Sequence, residues 1–262
     1  MDRLLRIAIK AAIEAGNEII KIYASDFAHE LKADNSPLTI ADKNSNKVIN
    51  TYLRQTAIPI ISEENNQIPY DERKHWKECW VVDPLDGTKE FIKKNGEFTV
   101  NIALVKEQQP VLGVVYVPAQ KVLYYAIVDS QKAHKIQLQD TNISVDTILQ
   151  DANVIKRIQD NPSKLKIVAS RSHLNEATEK FINSLQTDKE IVIVSKGSSL
   201  KFCLVAEGEA DIYPRFAPTM EWDSAAPHAI CNAVGVKVVS LETGKELVYN
   251  KEDLLNPWFI CQ

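Results

Sequence analysis

The chain has 262 residues, of which 45% are hydrophobic and 25% charged, which provides ample apolar material for a core and excludes a disordered polyelectrolyte. A formal net charge of -4, with no block of five like charges, excludes the basic footprint of a protein that binds nucleic-acid polymers. Nowhere do 18 apolar residues follow one another, so no hydrophobic membrane span is expected.

Leu5, Ile9, Ala12, Ile13 and Ile20 recur at helical spacing. Arg3, Arg6, Lys10, Glu14 and Lys21 interrupt the apolar character, so the first 23 residues are predicted as an amphipathic helix and not a signal peptide. A turn-rich loop from Lys32 then delivers Asp42 to the start of a second helix, with Val48, Ile49, Tyr52 and Leu53 on one face. Ile58 to Ile61 and Cys79 to Val82 read as short strands. Phe98 to Val105, Val111 to Val117 and Val122 to Ile127 follow as an antiparallel meander separated by short turns. The polar stretch from Asp129 to Pro162 is predicted as a boundary. It divides an α+β half, residues 1–128, from an α/β half, residues 129–262, the two forming one compact domain. In the second half, strands are predicted at Leu165 to Ala169, Ile191 to Val194, Ala210 to Tyr213 and Val236 to Val239. Helical patterns lie around Glu176 to Leu185, Ser199 to Ala206 and Asp223 to Val234. Cys79, Cys203, Cys231 and Cys261 lack C-x-x-C or zinc-like spacing and are expected to be free thiols in a reducing compartment, the cytoplasm. A peripheral place at the inner face of the membrane is compatible with the same reading.

The informative residues are acids placed where acids cost most. Trp80-Val81-Val82-Asp83-Pro84-Leu85-Asp86-Gly87-Thr88 is an apolar strand running into two aspartates. Pro84 is predicted to fold Asp86 back toward Asp83, and two facing carboxylates repel unless a cation sits between them. Oxygen-only donors suit a hard cation, magnesium or manganese. Gly87 and Thr88 look like a helix start, whose amides point at anions such as phosphate. Ser62-Glu63-Glu64 ends the preceding strand, and Glu221-Trp222-Asp223-Ser224-Ala225-Ala226 opens a small-residue helix. A surface loop or a plain helix cap explains each segment singly; together, in this order, they point to one site.

These motifs resemble the magnesium-dependent, lithium-sensitive phosphatase superfamily of inositol monophosphatases over essentially the whole chain. They are Asp83 to Thr88, the pair Glu63-Glu64, Trp222 to Ala226, and the loop Ser36 to Asp42. The Lys89-Glu90-Phe91 ending resembles the 3′(2′),5′-bisphosphate nucleotidase branch. The resemblance implies a layered α/β/α/β/α sandwich and hydrolysis of the 3′-phosphate of 3′-phosphoadenosine 5′-phosphate to AMP and phosphate, a step of nucleotide recycling in sulfur metabolism. It implies two or three magnesium ions per site. Glu64, Asp83 and the carbonyl of Leu85 would hold one, and Asp83, Asp86 and Asp223 a second. Glu64 and a hydrogen-bonded Thr88–Asp42 pair would orient the attacking water. Glu64, Leu85, Asp86, Gly87, Thr88 and Asp223 would also touch the substrate.

One departure from the family pattern is Pro227, where relatives commonly carry Gly. If Asp223 caps its helix, Pro227 falls in the first turn, where a missing amide costs nothing. Arg171, Lys201 and Arg215 are candidate partners of the 5′-phosphate, because arginine suits bidentate phosphate recognition. His173, beside Arg171, could equally be a packing residue. An inositol or sugar phosphatase of the same superfamily is the alternative reading, and a non-catalytic module that binds nucleoside bisphosphates is a remote one. Monomer and homodimer are both compatible with the sequence.

Overall fold

The computed structural model describes residues 1–25, 37–157, 163–169 and 175–262. Helices α1 (Asp2–Tyr23) and α2 (Pro37–Leu53) precede a seven-stranded sheet. Its strands are β1 (Ile60–Ser62), β2 (Glu78–Asp86), β3 (Thr99–Lys106), β4 (Gln109–Val117), β5 (Val122–Ile127), β6 (Lys132–Gln137) and β7 (Asn153–Val154), lying side by side in chain order. β1 and β2 are parallel, and every later neighbour is antiparallel. The short helices α3 (Tyr70–Arg73), α4 (Thr88–Ile92) and α5 (Val145–Asp151) lie in the connections. The predicted meander is present, and the sheet runs past residue 128, since β6 and β7 extend it.

Strand alternation sorts the sheet into two faces. Trp80, Val82, Ile102, Leu104, Val114 and Tyr116 pack in one core with Leu5, Ile9, Ala12 and Ile19 of α1 and Ile49 of α2. The intervening Val81, Ala103, Val105, Val115 and Val117 pack in a second core. The second half of the chain holds β8 (Lys164–Ala169), α6 (Glu176–Ser184), β9 (Glu190–Ser195), α7 (Leu200–Glu207), β10 (Tyr213–Arg215), α8 (Glu221–Ala233), β11 (Val238–Ser240) and β12 (Phe259–Cys261), and all of these except α6 contribute to that core. Phe202 and Val205 of α7 and Ala225, Ala226 and Ile230 of α8 fill its middle, with Tyr213, Val238 and Phe259 of the three-stranded sheet β10-β12-β11 beyond them. β8 and β9 form a parallel pair, and α6 sets Phe181 edge-on against Phe216. The layers thus run helix, sheet, helix, sheet, helix.

Two boundaries differ from the sequence reading. α2 begins at Pro37, so Asp42 lies in its second turn; proline suits a first helical position, where no amide is needed. The last strand of the predicted 210–213 segment is Tyr213–Arg215, and Ile212 makes only a single bridge to Ile167. The loop reading of residues 32–36 lies outside the described residues. All four cysteines are free and buried. Among the described residues no helix is long and apolar enough to cross a membrane.

Candidate active site

Asp83 and Asp86 both belong to β2, and alternation alone would send them to opposite faces. The register decides otherwise: Asp83 pairs with Asn101 and Asp86 with Thr99, so β2 spends one more residue than β3 between the two pairs. This bulge resets the alternation and turns both aspartates toward the face that α8 covers. Pro84 sits inside it, where its missing amide breaks no ladder bond. The Leu85 amide donates to Asp83 Oδ1 (3.0 Å), and Ser45 Oγ of α2 donates to the Pro84 carbonyl (2.7 Å), so the bulge is held from within and from α2. Gly87 follows at φ +93°, and a Cβ there would come within 3.1 Å of Ser198 Cβ and 3.2 Å of the Phe98 backbone.

β1 runs parallel to β2 with Ile61 beside Val81 and Ser62 beside Val82, and the Glu63 amide donates to the Val82 carbonyl. Glu63 and Glu64 follow in a turn, and the charge of Glu63 acts on Asp83. Glu64 borders a cleft of about 540 Å³ that Asn50, Arg54, Pro59 and Asn65 also line, and of the two acids its charge acts more strongly on Asp42. Both acids of the pair lie beyond Ser62, the last residue of β1, and the charges of both raise Asp42.

Asp223 comes from α8. Met220 is the N-cap, and Asp223 Oδ2 accepts the Met220 amide (2.9 Å), so Asp223 is the third helical residue and not the cap. Pro227 is consequently well inside the helix. Its missing amide would have bonded the Asp223 carbonyl, which instead lies 3.2 Å from Ser199 Oγ. The buried carboxylate of Glu221 accepts the amides of Asn250 and Lys251 and the Lys251 ammonium, fixing the first turn of α8.

One carboxylate oxygen from each of Asp83, Asp86 and Asp223 lies within 4.8 Å of the others. Burial holds Asp83 well above the ordinary carboxylate range, and the charges of Asp86, Glu63, Asp223 and Asp42 push it further. Burial and then Asp86 push Asp223 up to about 7, against the amide bond from Met220. Burial, Glu64 and Glu63 raise Asp42 to about 8. Glu63 is raised by burial, Asp86 and Glu64. Buried like charges that gather and find no basic partner among themselves are the donor set of a hard cation, all oxygen, and the residues fit such an ion.

Around this cluster, Ser199 Oγ donates to Asp86 Oδ2 (2.7 Å), and Lys201, Tyr213, Arg215 and Thr219 line the cleft beside Asp86 and Asp223. Lys201 is 8% exposed, its ammonium 5.7 Å from the Tyr213 ring centre, with no ion pair or hydrogen bond among the described residues. Its burial lowers its pKa. Arg215 Nε and Thr219 Oγ1 are buried without partners among the described residues. Thr88 is exposed and makes no hydrogen bond to Asp42 among the described residues, while the charge of Asp42 acts on Asp83. Arg171 and His173 lie outside the described residues. Sequence reading does not find Asn101, Thr99 and Ser199, which belong to none of the motifs and are brought to Asp86 by the fold.

The inositol monophosphatase family model matches residues 1–258. The chain is similar to the 3′(2′),5′-bisphosphate nucleotidase CysQ of Salmonella typhimurium, at 44% identity covering 98% of each chain, and to that of Escherichia coli K12, at 43% identity covering 95% of each. Among solved structures it is similar to CysQ from Bacteroides thetaiotaomicron, with a TM-score of 0.90, 48% identity and coverage of 98% and 95% of the two chains. An inositol monophosphatase from Staphylococcus aureus, at 22% identity and a TM-score of 0.75, shares the fold. With all but its last few residues matched and its aspartates gathered on one face of the sheet, the chain belongs to the inositol monophosphatase family.

Proposed function

We propose that this protein is a magnesium-dependent phosphomonoesterase that removes the 3′-phosphate of a nucleoside 3′,5′-bisphosphate, 3′-phosphoadenosine 5′-phosphate above all, leaving AMP and phosphate. The observation that carries the reading is the convergence of Asp83, Asp86 and Asp223 within 4.8 Å. Relatives that bear the nucleotidase name and align over nearly the whole chain support it.

Asp83, Asp86 and Asp223 would hold the cations, with the Leu85 carbonyl and Glu64 completing the set. Two or three magnesium ions, when bound, supply charge to the phosphate oxygens and acidify a water. The residues do the rest. Glu64 and Asp42, whose charges act on one another, would orient that water and take its proton. Gly87 and Thr88 begin α4 and would place backbone amides on the 3′-phosphate. Lys201 and Arg215, with unsatisfied donors in the adjoining cleft, would take the 5′-phosphate, which an inositol monophosphate lacks. Cytoplasmic residence follows from this substrate and remains part of the proposal.

Phosphate release should be measured from 3′-phosphoadenosine 5′-phosphate and from inositol 1-phosphate, each with magnesium and with chelator. Magnesium-dependent preference for the bisphosphate is expected. Preference for the inositol ester would replace this reading with that of a sugar phosphatase, and no release from either would leave only a binding role.

A further inference from the structure

Ser199, directly before α7, is 1% exposed, and its hydroxyl has three polar neighbours. They are Asp86 Oδ2 at 2.7 Å, the Asp223 main-chain oxygen at 3.2 Å and Asn101 Nδ2 at 2.7 Å. A hydroxyl gives one hydrogen and accepts through its lone pairs. Two of the three neighbours are acceptors only, so the third has to donate. This fixes the Asn101 amide with its nitrogen toward Ser199, and leaves Asn101 Oδ1 buried without a partner among the described residues. The opposite orientation would set three acceptors around a single hydrogen and draw it away from Asp86.

The sheet register places this relay. Asn101 pairs directly with Asp83, and Thr99, two residues before it on the same face, pairs with Asp86 and lies 3.4 Å from Asp86 Oδ2. Pro227 contributes by omission, since the amide it lacks would otherwise have claimed the Asp223 carbonyl that now faces Ser199.

We propose that Asn101 and Ser199 are positioning residues for Asp86: the Asn101 amide directs the one Ser199 hydrogen onto Asp86 Oδ2 and holds the carboxylate so that its other oxygen serves the cation. The proposal rests on the reading of Asp86 as a metal ligand. Ser199 borders the cleft beside Asp86, and Asn101 is fully buried. Both act through an acid that does the binding, as hydrogen-bond partners of metal ligands commonly do.

Manganese binding to the full chain, followed by calorimetry and by the spin-resonance signal of the free ion, tests it without reference to turnover. Ser199→Ala and Asn101→Leu should each weaken manganese about 10–100-fold, the range usual for partners that orient a metal ligand. Ser199→Thr, which keeps the hydroxyl, should restore most of the affinity. Because the amide acts through the hydroxyl, the double variant should bind no more weakly than Ser199→Ala alone. Wild-type affinity in folded Ser199→Ala, or a double variant that multiplies the two losses, overturns the relay. Should Ser199→Ala not fold, Asn101→Leu decides alone: loss supports the relay and unchanged affinity overturns it. A wild-type chain that binds manganese but releases no phosphate refutes the nucleotidase reading and leaves this comparison intact. One that binds no manganese refutes the metal site and the relay with it.

Discussion

Gly113 of β4 lies directly beneath the carbonyl of Ala226 in α8: a Cβ at Gly113 would fall 2.1 Å from that oxygen and 2.9 Å from Ala229 Cβ. The helix therefore approaches the sheet backbone to backbone, and this depth brings Asp223 down to Asp83 and Asp86. Gly113→Ala must lift α8. Overpacking of this kind usually costs about 1–3 kcal/mol, so thermal denaturation should show a lower midpoint. Phosphate release should fall at temperatures where the variant is still folded, because Asp223 moves with its helix. A variant with wild-type melting and turnover would disprove the close approach.

Magnesium should stabilise the chain more at pH 8 than at pH 5. Asp83, Asp223 and Asp42 have folded-state pKa values raised above their unfolded ones, Asp223 to about 7 and Asp42 to about 8. The folded chain then binds more protons than the unfolded one, so their contribution is fully present below about pH 4 and is lost as pH rises through the folded values. In chelator, stability should decline from pH 5 to pH 8. A cation replaces the missing protons, and at 100 times its Kd it should restore about 2.7 kcal/mol. Asp83→Asn should melt higher than wild type in chelator at pH 8, with the response to magnesium and the phosphate release both lost. Urea titrations at the two pH values, with and without magnesium, measure the effect; an equal magnesium increment at both would contradict it.

Glu63→Gln and Glu64→Gln should separate cleanly. Glu64→Gln should lower kcat/KM by at least the roughly 10–100-fold typical of groups that orient a metal ligand, since it removes the charge that acts most on Asp42. Glu63→Gln, which removes a charge that acts on Asp83 and less on Asp42, should lose less activity and shift the pH profile. Steady-state kinetics across pH decide between the neighbours, and a larger loss in Glu63→Gln would reverse the assignment.

Lys201→Met should raise KM for the 3′,5′-bisphosphate while leaving 3′-AMP turnover nearly unchanged, since only the former carries a 5′-phosphate. Removing an ammonium that is buried with no hydrogen-bonding partner among the described residues should also raise the melting temperature. Equal effects on both substrates would take Lys201 away from the 5′-phosphate.

The motifs and their order were legible because they are strings: an apolar strand running into Asp83 and Asp86, and a small-residue helix carrying Asp223. The meander was legible from alternation. What the string did not yield depended on register. The common face of Asp83 and Asp86 is set by one extra residue opposite Thr99 and Asn101. Pro227 looked harmless when Asp223 was taken as a cap; with Met220 as the cap, it sits deeper and frees a carbonyl for Ser199. Asn101 itself reads as an ordinary strand residue until its partner across the ladder is known.

The three aspartates come from the two ends of the chain's construction, β2 early and α8 late. A polypeptide still emerging during synthesis carries Asp83 and Asp86 long before Asp223 exists, and so cannot assemble the complete trio of acids. Chemistry at this site has to wait until the late helix has seated itself on the early sheet, so the docking of that helix is also the step that completes the trio.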